Sequence, residues 1–160
     1  MEKSKMFQRP TEPAKKLTRS FVPEKEVKAE PVNTSNTTSS LDSMMSNCMS
    51  ELMNARNSFH KLHLSVTGTG SYAAHKALNE LYDQIPDFID TLSEGYQGVT
   101  EKLLTPRTVE DVSDAVSYLR ELYAMVNKLQ SMMPYSEIVN NLDLVKDAIN
   151  STKYKLLFLK

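Results

Sequence analysis

The chain has 160 residues, 40% of them apolar and 24% charged, with a formal net charge of −1. That is room for one domain and a tail, in the proportions of a soluble globular protein and not of a polycation built to hold nucleic acid. Four glycines argue against an all-β sandwich with its many turns, and a single cysteine, Cys48, excludes an intrachain disulfide framework and a cysteine-based zinc cluster.

The opening MEKSKMFQRP lacks the apolar stretch of a secretory signal. No run approaches the length of a membrane span. The expectation is a reduced, intracellular protein without a membrane partner: cytoplasmic, or in a virion if a phage encodes it.

Residues 1–38 read as a disordered, mildly basic tail. Pro10, Pro13, Pro23 and Pro31 fall there, and residues 33–40 are NTSNTTSS. Such a stretch cannot bury enough apolar surface to offset the entropy of ordering. Residues 1–30 hold eight Lys and Arg against five Glu. Lys3, Lys5, Arg9, Lys15, Lys16 and Arg19 are therefore candidate contacts to DNA or to a virion component, with Phe7, Phe21 and Val22 as apolar anchors. A solvated linker is the plainer reading of charges so mixed.

Residues 39–160 read as a helical domain. Ser39 or Ser40 can cap a first helix with Asp42 in its first turn. Leu41, Met45, Cys48, Leu52, Ala55, Phe59 and Leu62 then recur at steps of three and four, which is one helical face. Thr67-Gly68-Thr69-Gly70 ends it in a turn. A second stripe runs through Ala77, Leu78, Leu81, Phe88, Ile89, Leu92 and Tyr96, and Pro86 inside it predicts a kink or break. Thr108 with Asp111 resembles an N-terminal cap for a third helix carrying Val109, Val112, Val116, Leu119, Tyr123, Val126 and Leu129. Pro134 separates it from a fourth, marked by Ile138, Leu142, Val145 and Ile149. The expected fold is all-α: a four-helix bundle in up-down-up-down order. The methionines read as core filler and Cys48 as inert packing.

Polar groups on the second helix carry the functional signal. His75 and Asn79 are four residues apart, as are Asp90 and Glu94. His75 and Asp90 return to about the same side of the helix but lie roughly 22 Å apart along it. They could share an ion only if two copies of this helix packed antiparallel about a twofold axis. No Glu-x-x-His pair occurs, so the di-iron site of the bundle interior is not expected.

The stretch FHKLHLSVTGTGSYAAHKALNELYDQIPDFIDTLSE, from Phe59 to Glu94, resembles the Dps-like branch of the ferritin superfamily. Its pattern is a His ending the first helix, a second His followed by an acid on the second helix, then Asp-x-x-x-Glu. His63, His75, Asp90 and Glu94 fall in register with it, and Asn79 stands where the family has Asp. The resemblance implies a ferritin-like bundle and iron as cofactor. It also implies a ferroxidase that sequesters Fe(II) at sites between twofold-related subunits and protects DNA. An amide at Asn79 brings no charge to a hard cation. That change, with Pro86 and a short second connection, suits the alternative: a non-catalytic ferritin-like assembly or structural protein whose N-terminal arm binds a partner.

Overall fold

The computed structural model describes residues 35–159. It holds four helices: α1 (Ser35–Ser65), α2 (Ser71–Thr100), α3 (Ala115–Met132) and α4 (Ser136–Phe158). The all-α, four-helix expectation holds. The first helix begins a few residues earlier than predicted, at Ser35. The basic arm, including Lys3, Lys5, Arg9, Lys15, Lys16 and Arg19, lies outside the described residues.

The apolar stripes meet as the periodicity requires. Met45, Cys48, Met49, Leu52, Ala55 and Phe59 of α1 are buried, as are Leu78, Leu81, Ile85, Leu92 and Tyr96 of α2. Leu119, Leu122, Val126 and Leu129 of α3 join Ile138, Leu142, Val145 and Ile149 of α4 in the same core. The methionine expectation holds for Met45, Met49 and Met133, while Met53 and Met132 are exposed.

Gly68 (φ 84°) and Gly70 (φ 77°) both take left-handed backbone in the α1–α2 turn, a conformation glycine adopts without a Cβ clash. The predicted disruption at Pro86 does not break α2, which is helical throughout Ser71–Thr100. Pro86 sits on the exposed side, where the carbonyl it leaves unbonded can reach water.

The connectivity differs from the expected alternation. Helix α1 packs against α2 and α3, and α4 packs against the same two. Tyr135, at the start of α4, meets Tyr96 near the end of α2 with ring centroids 6.4 Å apart. Lys155, near the end of α4, pairs with Glu80 near the start of α2. Tyr118, at the start of α3, packs on Phe59 of α1 at 5.8 Å. Helix α3 therefore runs parallel to α2 and antiparallel to α1, and the order is up-down-down-up. Residues 101–114 make the difference. They do not turn back but return along the length of α1 as an extended strap.

The cap expected at Thr108 and Asp111 is also displaced. Asp114 caps α3, accepting from the backbone N–H of Val116 (3.0 Å) and Ser117 (3.3 Å) and from the Ser117 hydroxyl (2.7 Å). Val109 and Val112 lie in the strap, because their stretch is bonded to α1 and not to a turn of its own. The Ser117 hydroxyl, then the two backbone N–H groups, hold the Asp114 carboxyl below the ordinary aspartate range. Asp114→Ala should lower the urea midpoint of unfolding, because it removes the N-cap of α3.

Candidate functional site

At the α1–α2 hairpin two histidines clasp each other. His63 lies in the last turn of α1, where carbonyls lack intrahelical partners. His75 lies at the start of α2. Nδ1–H of His75 donates to the His63 carbonyl (3.1 Å), and Nδ1–H of His63 donates to the His75 carbonyl (2.9 Å). A carbonyl only accepts, so each ring carries its proton on Nδ1 in these bonds. The rings stack with centroids 3.6 Å apart and planes 24° from parallel. Tyr82 meets His63 edge-on at 5.3 Å and stacks on His60 at 4.5 Å. The short Thr-Gly-Thr-Gly turn brings the two histidine-bearing turns side by side.

The remaining predicted ligands are not gathered there. Asn79 donates its amide to Asp83, one turn along α2. Asp90 and Glu94 are exposed farther down the same helix. Among the described residues no three His, Cys, Asp or Glu side chains group closely enough to hold a metal ion. Of His63, His75, Asn79, Asp90 and Glu94, one chain unites only the two histidines. A shared ion would have to lie in both ring planes, about 2 Å from each Nε2. Rings stacked with centroids 3.6 Å apart and planes 24° from parallel do not aim both Nε2 atoms at one such point. The pair as it stands does not fit a common ion.

A second polar constellation escaped the sequence reading. Asp42, Ser46, Ser50, Asn54 and Ser58 recur every four residues on α1. They form one inclined ridge, and the strap lies along it. Ser46 Oγ accepts from the Thr105 N–H (3.4 Å), Ser50 Oγ from the Arg107 N–H (2.8 Å) and Ser58 Oγ from the Val112 N–H (3.0 Å). Asn54 Nδ2 donates to the Glu110 carbonyl (2.9 Å). Ser50 also donates back to the Ser46 carbonyl (2.7 Å), so its one hydroxyl is satisfied on both sides. The ridge from Ser46 to Ser58 rises about 18 Å. The seven steps from Thr105 to Val112 reach about 23 Å when extended, so this part of the strap runs extended along the ridge. The visible signal was an i, i+4 row of small polar residues beside an apolar face.

Charges reinforce the strap. Lys102 pairs with Asp42 at 2.7 Å, Arg107 with Glu51 at 3.2 Å, and Lys61 with Asp111. Glu51 also accepts from the Tyr118 hydroxyl at 2.7 Å, linking strap, α1 and α3. A cavity of about 390 Å³ opens between α1 and the strap, with polar His60, Lys61, Arg107 and Asp111 and apolar Met53 and Leu64 in its lining.

The hydrogen bond from Lys102, then that from Tyr96, hold the Asp42 carboxyl below its ordinary value. A carboxyl depressed in the folded state stabilises it above the ordinary range near pH 4, and that contribution is lost as pH falls through the lower folded value. Asp42→Asn should therefore flatten the fall in stability below about pH 4 while leaving its shape unchanged above about pH 5. Melting temperature measured against pH checks it. Cys48 is fully buried, and burial pushes its thiol up to about 12, in keeping with inert packing.

The model of the family of unknown function DUF5856 matches residues 63–156, from the first clasp histidine to the last turn of α4. The chain is also similar to an uncharacterized 14.6 kDa protein of the mobD-ri intergenic region of Enterobacteria phage T4, at 30% identity over 109 residues. That likeness covers 66% of this chain and 81% of the phage protein. No solved structure matches. No described helix is long and apolar enough to cross a membrane.

Proposed function

We propose that this chain, which belongs to the DUF5856 family, is a non-catalytic helical-bundle assembly protein, phage-encoded, in which the histidine pair is a structural clasp. The observation that carries the reading is the reciprocal bonding of His63 and His75. Each ring spends its Nδ1 proton on the other's backbone carbonyl, and the stacking turns their Nε2 lone pairs into separate planes. The clasp caps the end of α1 and pins the start of α2 against it. The inward polar side chains of α1 are spent in the same way, on the strap. Likeness to a phage T4 protein supports a phage origin and, with it, a place in a virion or in the infected cytoplasm.

A second reading keeps iron. Asp90 and Glu94 are exposed on α2 and make no ion pair among the described residues, so both are open to a twofold-related copy. A single long crossover is also the connectivity of ferritin-like bundles. In this reading one histidine of each pair turns out of the stack to meet the partner's carboxylates, and the oligomer oxidises Fe(II) to Fe(III), with added peroxide or dioxygen taking the electrons, and stores the product.

One experiment separates the two. Ferrous iron is titrated into the purified full chain, with oxidation followed by absorbance and size by light scattering, in wild type and in His75→Gln. The clasp reading expects no stoichiometric iron and a lower melting temperature for His75→Gln. One or two irons per chain, oxidised rapidly by wild type and not by a folded His75→Gln, would overturn it in favour of iron.

A further inference from the structure

We propose that the strap, residues 101–114, is an electrostatic latch. It releases from α1 as a unit while the four helices stay packed, and it releases more readily as ionic strength rises.

The bonds that hold it differ in kind from those that hold the rest. No backbone ladder joins the strap to α1. Its backbone is received by the side chains of Ser46, Ser50, Asn54 and Ser58, together with Gln97 of α2 at Leu104. Three of the five ion pairs among the described residues join the strap to α1: Lys102–Asp42, Arg107–Glu51 and Lys61–Asp111. The three cations are half exposed or more, at 50%, 56% and 63%, so added salt reaches them.

The core does not depend on the strap for closure. No strap residue is fully buried, and Leu104 and Val112 only pack against the rim of the core. Leu103 is 89% exposed. The chain leaves α2 at the level of Asp42 and enters α3 at the level of Phe59, about 26 Å apart along α1, and the fourteen residues between can span about 46 Å. Release therefore need not pull the start of α3 from its place. It uncovers the row from Asp42 to Ser58, polar side chains with the spacing to receive an extended backbone. The inference stands independently of either functional reading, since it rests on no histidine and no iron.

Hydrogen exchange read by mass spectrometry on the full chain tests it. At low salt the amides of Thr105, Arg107 and Val112 should exchange at least about tenfold faster than mid-helix amides of α2 and α4, as a sub-global opening requires. Raising NaCl from about 0.05 to 0.5 M should speed the strap amides by about threefold or more, with the helices unchanged against an unstructured peptide control. Arg107→Ala should speed them at low salt and shrink the salt effect. Strap amides that exchange no faster than the helix interiors would overturn the proposal, because release would then need global unfolding. Fast exchange that ignores salt would also overturn it, since the hold would not be electrostatic. Should Arg107→Ala fail to fold, the wild-type salt series decides by itself.

Discussion

Phe59→Ala should lower the free energy of unfolding by about 3–5 kcal/mol, the range for removing a fully buried aromatic side chain. Phe59 has no exposed surface. Its ring lies 5.8 Å from that of Tyr118 at 59°, so it fills the joint between α1 and the start of α3. This joint closes the end of the bundle at which the strap delivers the chain to α3. The loss comprises the transfer of the ring and the cavity that α1 and α3 cannot both collapse into. Phe59→Leu should cost clearly less, because most of the volume returns. Urea unfolding followed by far-ultraviolet circular dichroism measures both. A cost below about 1 kcal/mol for the alanine variant would mean that α1 and α3 are not packed through Phe59.

Asn54→Ala should cost about 2–3 kcal/mol, although Asn54 is polar and removes little apolar contact. The residue is buried. It donates to the Glu110 carbonyl at 2.9 Å and to the Tyr118 hydroxyl at 3.3 Å, and it accepts from Ser58 at 3.4 Å. One side chain thus ties the strap, α3 and its own helix. Truncation strands a strap carbonyl and removes an acceptor from Ser58, and the unmet polar groups set the size of the effect. A double-mutant cycle with Tyr118→Phe should show coupling of about 0.5 kcal/mol or more, since the two share a hydrogen bond. Additive costs would indicate that the bond does not form. Burial and the Glu51 hydrogen bond push the Tyr118 hydroxyl well above the ordinary tyrosine value, so it stays a donor through the neutral range.

The histidines divide the legible from the illegible. The glycine turn between them sets His63 and His75 side by side in the structure, a pairing not drawn from the sequence. Their spacing against Asp90 and Glu94 showed that one chain could not gather all four. What spacing does not carry is ring orientation. A histidine free to ligate and a histidine bonded through Nδ1 to a carbonyl, stacked on another, are the same letter at the same position. Asn79 is similar: its local bond to Asp83 competes with any ligand role, and only side-chain placement shows it.

Local physical chemistry, written in residue order, determined the four helices of this protein. The apolar stripes, the turn at Gly68 and Gly70 and the break at Pro134 each act within a few residues, so they can be read without the rest of the chain. The direction of α3 was decided by tertiary structure. Thr108 and Asp111 offer as good a local cap as Asp114, and Val109 and Val112 carry a helical period. The strap stays extended because Ser50, Asn54 and Ser58, more than fifty residues earlier, satisfy its backbone groups at fixed points along α1. A backbone hydrogen bond made at that separation leaves no local trace. It fixed where α3 could begin, and with it an up-down-down-up bundle in place of an alternating one.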